Sequence, residues 1–353
     1  MKTAILAILL FCIMIFPHEL GHFIAAKRMG VQVNEFSFGM GPAIWKRQGK
    51  ETLYSIRLFP IGGYCAMEGE DGEEDDDTTG GAGENRELNP RSFAAKKPWK
   101  KIVILTAGSV MNILCAIVIL SVVLGINGFT TNRIGEVTAG SPAEQAGMAA
   151  GETITAIDGQ PVESWNDVIN LLPEDGSSAK ITVEGKDGTR SLSLQPVLQK
   201  VTGADGTETE RYVIGITSKI SHNPFRAAAY GARSTWNMVK LMFQSIGMLI
   251  SGQASADDLS GPVGMVQMVN QTETLGYWYY AFLVALICVN LAIINMLPLP
   301  ALDGGRILFV LFTVITGKKV SARVEGTIHM IGMGLLFALM IYVTFHDITR
   351  IFG

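Results

Sequence analysis

Four stretches of the chain are apolar over the length a bilayer crossing requires, roughly residues 3–26, 102–127, 277–299 and 327–345. The segments between them carry other periods. From Val31 to Tyr64 apolar and polar positions alternate, in VQVNEFSFGM and LYSIRLFPIGGY, with Gly39, Gly41 and Pro42 between the runs. A period of two predicts strands, so residues 31–66 read as a small sheet. Next comes EGEDGEEDDDTTGGAGEN, acidic and glycine-rich without a spaced ligand pattern, so residues 67–100 read as a solvated, flexible cytoplasmic loop. Residues 128–219 read as a separate soluble domain. Residues 220–275 are amphipathic and glycine-interrupted, and SHNPFRAAAYGARSTWNMVKLMFQSIGMLI is predicted to be a helix lying along the outer interface. LSGPVGM follows as a tight turn whose purpose the pattern does not disclose.

The first apolar run is not read as a cleaved signal peptide. Pro17-His18-Glu19 stands where small residues should be, and apolar character resumes at Phe23-Ile24-Ala25-Ala26. Lys27 and Arg28 follow the first span, Lys96, Lys97, Lys100 and Lys101 precede the second, and Lys318, Lys319 and Arg323 lie between the third and fourth. The positive-inside rule then puts residues 27–101 and 300–326 in the cytoplasm, with both termini and the region between spans two and three outside. Domain by domain, the reading is a first span over 1–30, the sheet, the acidic loop and a second span over 101–127. The soluble domain, the interfacial region, a third span with its connection over 276–326 and a fourth span over 327–353 complete it.

Composition sharpens this picture. Of 353 residues 48% are hydrophobic, and the mean hydropathy is +0.31. That is too apolar for an ordinary soluble enzyme and too interrupted for a bundle of spans alone. A net charge of −4 argues against a general nucleic-acid binder. Cys12, Cys65, Cys115 and Cys288 lie in or beside apolar stretches with no Cys-x-x-Cys pair, so neither a disulfide framework nor a cysteine zinc site is predicted.

The chemistry sits in IFPHELGHFIAAKRMG, Ile15 to Gly30. On a helix His18 and His22 share one face and can reach a single Zn2+, while Glu19 is placed to hold its water and take a proton. Ionisable residues inside a span are costly unless they face a polar cavity and act there. A catalytic zinc wants a third protein ligand. Glu35 falls in the strand region, His329 and His346 belong to the last span, and His222 is external. Asp303, in NMLPLPALDGGRILF, stands at the cytoplasmic end of the third span among Pro298, Pro300, Gly304 and Gly305, residues that break a helix where it lines a cavity. It is the best candidate; the alternative is that it caps the following helix.

Two resemblances extend the reading. RIGEVTAGSPAEQAGMAAGETITAIDGQPVESWNDVINLL, within 128–219, resembles a PDZ domain of the bacterial protease type, with Ser141 opening a short helix and Ile154–Ile157 a strand. Such a domain takes an extended peptide as an added strand, or serves as a steric filter. HELGH at 18–22, FPIGGY at 59–64, GSVMN at 108–112, LSGPVG at 259–264 and NLAIINMLPLPALDGG at 290–305, around that domain, resemble the site-2 protease family of intramembrane zinc metalloproteases, in its bacterial RseP/RasP type with one PDZ domain. The resemblance implies a polytopic α-helical membrane protein of four transmembrane helices, with a small membrane-associated β-sheet and one extracytoplasmic PDZ (α+β) domain. It implies one Zn2+ held by His18, His22 and Asp303, with Glu19 as general base, in the bacterial cytoplasmic membrane with the site towards the cytoplasm. It further implies that Asn290 and Asn295 hold the substrate backbone. Many relatives carry a proline after the first glycine of GSVMN, where this chain has Ser109.

The implied partners are membrane-anchored protein substrates, such as an anti-sigma factor or a remnant signal peptide, together with the lipid bilayer and a peptide at the PDZ domain. A substrate helix keeps its carbonyls bonded internally and must unwind before hydrolysis. An edge strand at Gly62, Gly63 and Tyr64 is placed to pair with it. A zinc transporter using the same ligands has no special need of Glu19, and the spans show no inverted repeat. A dead scaffold predicts a broken HExxH, and this one is intact.

Overall fold

The computed structural model describes residues 2–70, 89–186, 188–202, 208–253, 261–318 and 320–352. Most of the acidic stretch, 71–88, and the first two residues of LSGPVG lie outside them. In chain order the elements are α1 (Lys2–Met29), β1 (Val33–Gln48), β2 (Leu53–Met67), α2 (Pro98–Asn127), β3 (Phe129–Val137), α3 (Pro142–Gln145), β4 (Thr153–Ile157), β5 (Gln160–Pro161), α4 (Trp165–Leu171) and β6 (Ala179–Gly185). They continue with β7 (Gly188–Leu194), β8 (Val197–Thr202), β9 (Glu208–Val213), β10 (Ile216–Ser221), α5 (Pro224–Ile250), α6 (Pro262–Leu275), α7 (Tyr277–Asn295), α8 (Asp303–Thr316) and α9 (Ala322–Phe352). They form two compact units, residues 1–121 with 228–353, and residues 122–227.

In the first unit α1, α2, α7 and α9 are long and apolar enough to cross a membrane, as the hydropathy pattern predicts. The third span departs from expectation. Apolar character runs to Leu299, but α7 ends at Asn295. Pro298 and Pro300 cannot donate to a helical ladder and push the residues before them out of helical geometry. The connection after them contains α8, which starts at Asp303. The amphipathic region is also two helices rather than one helix and a turn.

Leu10 and Ala116 pack with Val284, Cys288 and Val289, and Val269 of α6 closes the same core. Gly21 and Gly108 let α1 and α2 nearly touch: a Cβ on Gly21 would sit 2.3 Å from the Ala107 carbonyl oxygen. A second cluster, Ala25, Ala26, Val31, Val33, Phe36, Ile104 and Leu105, fixes the β1–β2 sheet to these two helices.

β1 and β2 are bent strands that each pair twice. Residues 35–38 align with 53–56 on one side and with 63–66 on the other, while 45–48 align with 53–56. Residues 63–67 therefore form an outer edge, paired only with residues 33–38 among the described residues. The turn of LSGPVG gains a purpose here. Asp347 of α9 is fully buried, and its Oδ2 accepts the N–H groups of Gly261 (3.0 Å) and Gly264 (2.7 Å). This carboxylate caps α6, whose own N-cap glycine has no side chain to do so. A Cβ on Gly261 would lie 2.9 Å from that oxygen, so the cap requires glycine.

In the second unit the strand order is β10-β3-β4-β6-β7, with β5 paired to β4. Ile134, Ile154, Ile157, Val168, Ile181 and Val183 form its core. Ser141 caps α3 by accepting the Glu144 N–H, and Ser164 and Asp167 make a reciprocal capping box on α4. A separate β8–β9 hairpin, which the strand pattern did not single out, precedes β10.

Candidate metal centre

Three side chains from two helices converge on one point. His18 and His22 lie one turn apart on α1, and Asp303 is the first residue of α8. His18 Nε2 is 3.2 Å from His22 Nε2, and each is 3.4 Å from Asp303 Oδ2. Ligand atoms bonded to zinc at about 2.0–2.1 Å in a tetrahedron stand about 3.3 Å apart, so these three edges match one face of that polyhedron. One candidate ligand atom from each residue lies within 4.8 Å of the others. His22 Nδ1 donates to the Ile104 carbonyl at 2.9 Å, which leaves the Nε2 lone pair facing inward. Asp303 Oδ2 is buried and accepts no conventional hydrogen bond. Lone pairs held this closely repel unless a cation or protons lie between them, and one metal ion satisfies all three. The residues fit zinc.

Each position is fixed by its surroundings. A Cβ on Gly108 would fall 2.4 Å from His22 Nε2 and 2.7 Å from the His18 ring, so only glycine leaves space for both imidazoles. Asp303 is not the cap of its helix; Leu302 occupies that position without a side-chain bond. Cβ atoms on Gly304 and Gly305 would fall 2.2–2.4 Å from carbonyl oxygens of residues 296–299. The glycines of LDGG thus let the broken end of α7 fold down onto the start of α8. Arg306, one turn beyond Asp303, pairs with Glu70.

Glu19 is partly buried and lies within Coulombic reach of His18, His22 and Asp303. A Cβ on Gly63 would be 3.4 Å from Glu19 Cγ, which puts the outer strand of the sheet beside the carboxylate. Gly62 has φ +91°, a conformation that favours glycine, where the chain turns into that strand. Tyr64 points its hydroxyl away to Arg57. Asn295 Nδ2 is 3.1 Å from His18 Nε2, whereas Asn290, five positions earlier on α7, makes no hydrogen bond to the three converging residues.

The other sequence candidates for a third ligand are engaged elsewhere or do not join the cluster. Glu35 accepts from Ser55 (2.6 Å) and Arg57 (2.7 Å). Burial raises its pKa, but hydrogen bonds from Ser55 and Arg57 prevail and hold it below the ordinary carboxylate range. His329 Nδ1 accepts the Ala301 N–H at 2.8 Å. Residue spacing alone missed the Ile104 carbonyl, the space at Gly108 and the fully buried Asn112, whose amide has no hydrogen-bond partner. GSVMN marked the last two without indicating their use.

The model of peptidase family M50 matches residues 6–339. A zinc metalloprotease relative from Clostridium acetobutylicum is 36% identical over 98% of this chain and 96% of its own length. Zinc metalloprotease RasP of Oceanobacillus iheyensis is 30% identical over the whole of both chains. Regulator of sigma-W protease RasP of Bacillus subtilis is 30% identical over 99% of each. A solved PDZ domain of an SdrC-like protein from Listeria monocytogenes matches 26% of this chain and 86% of that domain at 26% identity, with a TM-score of 0.19.

Proposed function

Since this chain belongs to peptidase family M50, and is a multi-pass intramembrane zinc metalloprotease, we propose that His18, His22 and Asp303 hold its zinc and that Glu19 is the general base. The observation that carries this assignment is the triangle of two imidazole nitrogens and one carboxylate oxygen with edges of 3.2–3.4 Å. Bound there, zinc would polarise the scissile carbonyl and acidify water. Glu19 takes the proton of the attacking water and delivers it to the departing amine. Asn295, already beside His18, and Asn290 offer amides to the unwound substrate backbone. The edge at Gly62, Gly63 and Tyr64 pairs with that backbone and presents the peptide bond to Glu19.

The substrates in this reading are membrane-anchored proteins cut in or near their transmembrane segments. The sigma-W name of the Bacillus relative supports a membrane-anchored regulator of a sigma factor, and a remnant signal peptide offers the same chemistry. The lysine and arginine bias supports a bacterial cytoplasmic membrane, both termini outside, and water reaching the site from the cytoplasmic side. Residues 128–219 form a PDZ domain in this reading. Strand β10, which ends the strand order among the described residues, takes the added peptide in this reading, beside a groove of about 650 Å3 that includes Gly215.

Co-expression with tagged single-span substrates tests the assignment. Wild type is expected to yield the cut fragment and Glu19→Gln to leave the substrate whole. Equal cleavage by both would remove Glu19 from the mechanism.

A further inference from the structure

We propose that His329 is a positioning residue for Asp303, holding the turn before it so that the carboxylate meets the two imidazoles. The inference rests on the reading of Asp303 as a zinc ligand. Ala301 has φ +71°, a left-handed conformation that residues with a Cβ seldom adopt and that persists only where the surroundings hold it. The turn is closed by the Leu302 N–H donating to the Leu299 carbonyl at 3.3 Å, and α9 adds a second hold from outside. The Ala301 N–H donates to His329 Nδ1 at 2.8 Å, so that nitrogen keeps its lone pair and the ring carries its proton on Nε2.

One turn further along α9, a Cβ on Gly332 would lie 2.3 Å from Pro300 Cβ, so the helix backbone presses directly on the same turn. On the far side of Asp303, the Phe309 ring of α8 packs on the His329 ring with centroids 5.6 Å apart. One imidazole therefore grips the chain both before and after the carboxylate. α7 has broken and α8 has only begun there, so the local backbone is not fixed by a continuous helical ladder. A partner one shell out from a ligand acts by fixing that ligand's orientation.

The test uses the full chain in detergent. Zinc affinity is measured by chelator competition, cobalt-substituted protein by its visible spectrum, and stability by thermal midpoint. His329→Leu is expected to release zinc about tenfold or more too readily, shift the cobalt bands and lower kcat more than KM. His329→Asn, whose side-chain oxygen can accept the same N–H, is expected to recover most of the affinity. Gly332→Ala, which pushes α9 off Pro300 with His329 intact, is expected to loosen zinc as well and decides the matter should the leucine variant not fold. Zinc affinity within about twofold of wild type in either disrupting variant, or equal impairment of the leucine and asparagine variants, would overturn the proposal. If Asp303→Ala keeps its zinc, the ligand reading itself fails, independently of His329.

Discussion

Gly108 is the residue on which the geometry of the centre is most exacting. Its missing side chain is the space that both imidazoles occupy. Gly108→Ala is expected to cost about 1–3 kcal/mol of overpacking, felt as ring displacement. Zinc affinity and activity should both fall, with α2 intact by circular dichroism; unchanged affinity would refute the steric argument. Glu19→Gln is the complementary case. It should keep stoichiometric zinc while kcat drops about 100- to 10,000-fold, the span typical of a lost general base. The i,i+4 spacing made His18 and His22 legible as a pair, because a helix carries such residues on one face. The spacing could not disclose that Ile104, eighty-two positions away, sets the His22 tautomer. Nor could it disclose that His329 accepts the Ala301 N–H, two residues before Asp303, rather than joining the three converging side chains.

The short connecting elements set the geometry around the long helices. Asp347 replaces the missing cap of α6, and Asp347→Ala strands two buried N–H groups. That loss should lower stability in detergent by about 1–3 kcal/mol, and an unchanged thermal midpoint would show the cap to be idle. In the sheet, Arg57 joins Glu35 to Tyr64 of the outer strand. Because the Glu35 pKa is lowered on folding, its contribution is present above the ordinary carboxylate range and is lost as pH falls through the depressed value. Protection of residues 63–67 against amide exchange, relative to the intrinsic rate, should therefore fall in that acidic window, and in Arg57→Met at neutral pH; protection indifferent to both would contradict this role. Strand alternation foretold the sheet, and apolar length foretold four helices long enough to span. Neither pattern gave the bounds of α8, because fourteen apolar-rich residues behind two prolines read equally well as the tail of a span and a connection.

At the scale of the molecule, the four span-length helices do not enclose a featureless apolar core. Two are brought together by glycines, and another is broken by prolines, so that three polar side chains share a site within the membrane-spanning unit. Such a placement is costly unless a metal and a polar substrate backbone use it. Zinc bound only by the folded chain also stabilises it by mass action, so chelation should lower the thermal midpoint of wild type and leave Asp303→Ala unmoved. The most direct measurement is the zinc content of the purified full chain and its variants. One zinc per chain is predicted in wild type and Glu19→Gln, and none in His22→Ala or Asp303→Ala. A wild-type chain without zinc, or an Asp303→Ala chain that retains it fully, would contradict the account.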